Sequence, residues 1–186
     1  MNQETLQAVI DAIDAINSHD PAGNDSLEYS TNMTGWLGKL NSDPSAELQI
    51  AVRAQHVKRW AIPRSDYPMD RPGYLKWRKD LGKMHAEIAA EEVVKNGGTE
   101  EEAARVASII RKEGIKRDAE TQTLEDCACL VFLENDFEEF STKYEEPKLI
   151  SIVQKTWNKM SEQAHAEALK LSFSDNALEL IKKALS

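Results

Sequence analysis

Apolar residues recur three and four places apart along nearly the whole chain, and no stretch alternates β-branched with polar residues. Such spacing puts one face of each segment inward on a helix and leaves no material for a sheet, so the expected fold is all-α. Leu6, Val9, Ile10, Ile13 and Ile16 mark a helix over 4–17, "SHDPAGND" reads as a loop, and a second helix is expected over 27–40. In "NSDPSAE" the expected N-cap is Ser42 or Asp43, with Pro44 in the first turn of a helix carrying Leu48, Val52 and His56. "AIPRSDYPMDRPGY" must be irregular, because proline cannot continue a helix interior. A long helix over about 74–95 should stop at "NGG", and Thr99 with Glu102 forms a capping box for a helix reaching about residue 113. The helix over about 121–140 is apolar nearly all round from Cys127 to Leu133 and is expected near the centre of the domain, with two or three helices after it. At 186 residues without a linker-like tract, the expectation is one compact all-α domain, residues 1–186, a bundle of seven to nine helices.

Charge is distributed unevenly. Between Arg53 and Lys83 nine basic residues face three acidic ones, a net +6 inside a chain of −9. An acidic body repels nucleic acid at long range, while a local basic pocket still attracts a small anion. The expected partner is therefore a small phosphorylated or carboxylated ligand, with Arg53, Arg59, Arg64, Arg71 and Arg78 as candidate anion-binding residues, joined by Lys112. "KTWNKMSEQAHAEAL" interleaves Lys155 and Lys159 with Trp157 in the manner of a nucleic-acid-stacking face, but a solvated helix with a core tryptophan explains it as well. No window approaches the roughly 18 apolar residues of a membrane helix. The start of the chain lacks the features of a signal peptide, and Cys127 and Cys129 read as reduced core thiols, so a cytoplasmic setting is expected.

The basic segment lies between two histidines. On the helix over 74–95, Tyr74, Trp77, Leu81, Met84 and Ile88 form an apolar stripe that contains His85, with Arg78 on the same side. A histidine in such a stripe is commonly a core residue bonded to a carbonyl, but an arginine facing inward needs an anionic partner. His56 sits beside the core, and Glu125 and Asp126 open the buried helix, where carboxylates ordinarily complement the helix dipole. Two histidines and an aspartate on separate elements would also suit a divalent ion.

"QHVKRWAIPRSDYPMDRPGYLKWR", "MHAE", "QTLEDCACLVFLE" and "KTWNKMS" resemble the family catalogued as domain of unknown function 4202, over nearly the whole chain. That pattern is in turn remotely similar to HD-domain phosphohydrolases, all-α metal enzymes with a His, a later His-Asp pair and a final Asp. The resemblance implies an HD-like fold with His56, His85 and Asp126 as metal ligands and Glu125 and Lys112 as candidate catalytic acid–base groups. Ala86 stands where the pair's aspartate is expected. The implied activity is a metal-dependent phosphohydrolase acting on a small phosphorylated or nucleotide-like substrate. The alternatives are a metal-free phosphate- or nucleotide-binding module and an RNA-associated protein.

Overall fold

Backbone and side chains of residues 1–23 and 25–185 are described by the computed structural model, and every regular element among them is helical. Ten α-helices follow in order: α1 Gln3–Asn17, α2 Asp25–Leu40, α3 Ala46–Arg53, α4 Arg71–Lys95, α5 Glu100–Ile110, α6 Ala119–Val131, α7 Phe137–Ser141, α8 Glu146–Lys159, α9 Glu162–Ala168 and α10 Asp175–Leu185. The all-α reading holds. The loop expected at 18–25 is present up to Gly23, with Asn24 outside the described residues.

The helix count exceeds the expected seven to nine because the helix predicted over 121–140 is interrupted. A π-helical turn, Phe132–Asp136, separates α6 from α7. Wider winding brings side chains five apart toward the same side. Phe132 and Phe137 profit, with ring centres 5.9 Å apart, and Phe140 packs edge-on against Phe132.

The chain divides into two compact units, Met1–Leu124 and Glu125–Ser186. In the first, α4 packs on α5 and α1, and α3 packs on α1, α2 and α5. Its core comes from one stripe of each helix, including Val9 and Ile13, Met33, Leu48 and Val52, Leu81, Ala89 and Val93, and Val106 and Ile109. The predicted capping box is present, Thr99 and Glu102 each bonding the other's backbone N–H. In the second unit α10 packs on α8 and α7 around Phe137, Leu149, Val153 and Ile181. Cys127 and Cys129 are buried thiols not joined in a disulfide, and burial pushes the Cys127 thiol up to about 12.

Two local expectations are corrected. Ser45, not Ser42 or Asp43, caps α3, its hydroxyl accepting from Leu48 N at 3.1 Å, so Pro44 stands before the helix. Helix α3 then ends at Arg53, which leaves His56 in the following turn rather than on the helix. No described helix is long and apolar enough to cross a membrane.

Candidate functional site

The turn after α3 is held from both sides. Asn17, wholly buried at the end of α1, donates to Ser30 Oγ at 2.9 Å and accepts from the Lys58 backbone N–H at 3.1 Å. Lys58 is thereby fixed in the left-handed region at φ 54°, a conformation that a non-glycine residue keeps only when its surroundings enforce it. From the other side His85 donates its Nδ1–H to Val57 O at 2.7 Å. Because a carbonyl only accepts, this bond assigns the proton to Nδ1 in the neutral ring.

Around that turn lies a cavity of about 480 Å³, wholly within the first unit. Gln55, His56 and Arg59 line it from the turn and Arg78 to His85 from two turns of α4. Arg111, Lys112 and Glu113 close it from the end of α5, where Lys112 is a second lysine with positive φ, 59°. Six basic side chains and one carboxylate therefore share the lining, and the carboxylate, Glu113, pairs with Arg111 at 2.7 Å.

Arg59, Arg78 and Lys79 make no ion pair with any described carboxylate. Arg59 lies over the Trp77 ring, 4.8 Å from its centre. Burial, and then the charge of Arg78, lower the Arg59 guanidinium from its ordinary value, though guanidinium stays charged near neutrality. Arg59 and Arg78 thus stand close enough to repel one another, with no described carboxylate counter-charge beside them. The histidines respond in the same sense. Burial first, then Arg59, His85, Arg78 and Lys112, hold His56 well below the ordinary histidine value. Burial takes His85 down to about 4 against the opposing bond to Val57, with Arg59 and Arg78 adding to the depression. Both imidazoles are neutral at pH 7. Their ring centres lie 5.8 Å apart, and Tyr29 stacks on His56 at 4.1 Å.

Of the residues expected to bind an anion, Arg59, Arg78 and Lys112 line the cavity and the others have different work. Arg53 makes a bidentate pair with Asp14 at 2.6 and 2.7 Å. Arg64 donates to the carbonyls of Tyr67 and Pro68 and so shapes the proline-rich connection. Arg71 is exposed at the start of α4. Arg78 is itself exposed at the cavity's edge rather than facing the core, which corrects its assignment to the buried side.

Asp126 and Glu125 belong to the second unit. Asp126 accepts from both the backbone N–H and the hydroxyl of Ser161, at 2.8 and 2.5 Å, anchoring the N-cap of α9. Glu125 is buried and pairs with Lys159 at 3.3 Å. A divalent ion was expected on His56, His85 and Asp126. Within the cavity the donors are two imidazoles and a glutamate already paired to arginine, surrounded by six cations, a set that repels a metal ion rather than holding one. No group of three His, Cys, Asp or Glu among the described residues is placed to hold a metal. The residues present do not fit the metal implied by the resemblance.

Gln55, Lys79, Gly82, Lys83 and Arg111 were missed as lining residues. Arg78, Gly82 and His85 at i, i+4 and i+7 share one helical face, a pattern legible in sequence once the helix is drawn. Tyr29 carried no such signal. A family model described as Domain of unknown function (DUF4202) matches residues 7–181. No curated protein and no solved structure matches the chain, so the likeness to HD-domain enzymes rests on the motif residues alone.

Proposed function

We propose, for a chain that belongs to the family described as Domain of unknown function (DUF4202), that the first unit binds a small anionic ligand, phosphorylated or carboxylated, without a metal. The observation that carries this reading is the cavity's charge: Arg59, Arg78 and Lys79 line it without a carboxylate partner. Guanidinium groups match phosphate and carboxylate oxygens in bidentate geometry, and withdrawal from bulk water strengthens the attraction. The phosphohydrolase reading would need a nucleophile-generating group in the cavity, and neutral, strongly depressed histidines are poor bases for that task. Binding is therefore the function supported best.

Thermal denaturation of the full chain with phosphate, pyrophosphate and a nucleotide panel tests it. A ligand present at a hundred times its Kd stabilises the native state by about 2.7 kcal/mol, a readily measured rise in Tm. Arg78→Gln together with Lys79→Gln should remove most of that rise while leaving the ligand-free Tm nearly unchanged, because both side chains are exposed at the cavity's edge. Absence of any rise across the panel would overturn the reading. A rise with RNA but none with small anions would replace it by the RNA-associated alternative.

A further inference from the structure

The cavity lining contains two buried polar atoms whose needs the protein does not meet. His85 is 3% exposed and uses Nδ1–H on Val57 O, so its Nε2 carries a lone pair. That Nε2 receives no hydrogen bond from any described residue. Gln55, 6% exposed, presents its Oε1 in the same condition. Both acceptors belong to residues that line one cavity. A buried acceptor without a donor is costly and uncommon, and each instance calls for a reason.

A fully deprotonated anion does not supply one. Sulfate offers only acceptor oxygens, which would meet lone pairs at His85 and Gln55. The cavity's volume, about 480 Å³, also lies within the range of roughly 300–1,000 Å³ typical of small organic ligands.

We propose that the ligand is an organic phosphate that also carries hydroxyl groups, a phosphorylated sugar or polyol. Its phosphate lies against Arg59, Arg78 and Lys79, and its hydroxyls donate to His85 Nε2 and Gln55 Oε1. This inference rests on the anion-binding reading. Division of labour follows from the chemistry: the cations supply attraction for any phosphate, and the two acceptors select the phosphate whose carbon skeleton brings donors. Gly82 fits the same picture. A Cβ at that position would meet nothing within 4 Å, so core packing does not demand glycine there, and its absence of side chain leaves the α4 wall of the cavity open.

Matched pairs test the inference by isothermal titration calorimetry on the full chain. Ribose 5-phosphate is compared with tetrahydrofurfuryl phosphate, and fructose 1,6-bisphosphate with 1,6-hexanediol bisphosphate, with pyrophosphate as the charge control. At least one hydroxylated member should bind about tenfold or more tightly than its partner, since a site built to bond a hydroxyl rejects the analogue lacking it. In His85→Asn the amide nitrogen replaces Nδ1 and keeps the bond to Val57 O, but no acceptor remains at the Nε2 position. The preference should then shrink to about twofold. Gln55→Leu should reduce it independently, and decides the matter if the His85→Asn variant does not fold. Equal binding within every pair, with pyrophosphate bound, overturns the hydroxyl requirement and leaves the anion site standing. Binding of none of the five compounds overturns the anion reading and this inference together.

Discussion

Acid should destabilise the first unit well before its carboxylates titrate, and His85 should be a principal cause. In the native state its pKa is about 4 against an ordinary 6.5. Between those values the unfolded chain holds the proton and the folded one does not, so stability falls as pH falls through the window and is fully present only above about 6.5. A difference of about 2.5 units corresponds to about 3 kcal/mol, most of it lost by pH 4.5. His56 is depressed for the same reasons and acts in the same direction. The paired Asp118, held at about 2 by the guanidinium of Arg105, is lowered rather than raised, so its contribution is lost only below about pH 4, a separate window. Urea denaturation of the wild type and His85→Asn between pH 4.5 and 7.5 isolates the effect. The variant, which retains the bond to Val57 O, should lose about 2–3 kcal/mol less than wild type on acidification. Imidazole NMR titration gives the pKa directly. Parallel pH profiles of the two proteins, or a His85 that titrates near 6.5, would refute the reasoning, because either would mean that the ring is not buried among cations.

Asp126→Ala should cost about 1–3 kcal/mol by urea denaturation, the cost of leaving the Ser161 N–H and hydroxyl without their acceptor. Its affinity for pyrophosphate should equal that of wild type, whereas a metal-ligand role predicts loss of binding. Gly82→Ala should raise ligand-free stability by about 0.5–1 kcal/mol, because alanine is the better helix former and the added Cβ meets nothing within 4 Å. In the same variant, calorimetry should show weaker anion binding, since the methyl group enters the cavity wall.

Helices were legible because their signals are local. The stripe Leu6, Val9, Ile13 became the buried face of α1, and Thr99 with Glu102 formed the predicted capping box. The interruption at Phe132–Asp136 was not legible, since a π turn follows from how Phe132, Phe137 and Phe140 pack rather than from any helix-breaking residue. The N-cap of α3 illustrates a similar limit: Ser42, Asp43 and Ser45 are all good caps by type, and only the path of the chain selects Ser45. Net charge located the basic segment correctly, yet it could not separate Arg59 and Arg78 from Arg53, which lies opposite Asp14, thirty-nine residues earlier in the chain. Composition counts charges, and pairing decides which of them remain available.

Pairing also decides where function lies. Eight polar side chains are buried among the described residues, and six have their needs met within the fold. Asn17 bridges Ser30 and Lys58, Ser26 bonds Asp20, Ser30 bonds the Ser26 carbonyl and Thr121 bonds the Glu113 carbonyl. Glu125 and Asp126 are taken up by Lys159 and Ser161. The remaining two, Gln55 and His85, keep an acceptor without a donor, and both line the cationic cavity. The acidic pair expected to open an apolar helix falls instead in the middle of α6, which begins at Ala119, and its oxygens bond Ser161 at the N-cap of α9 and pair with Lys159. The unmet acceptors and the cations without a carboxylate partner belong to residues lining one cavity, and on the reading proposed above a ligand carrying negative charge and hydroxyl donors would satisfy both at once.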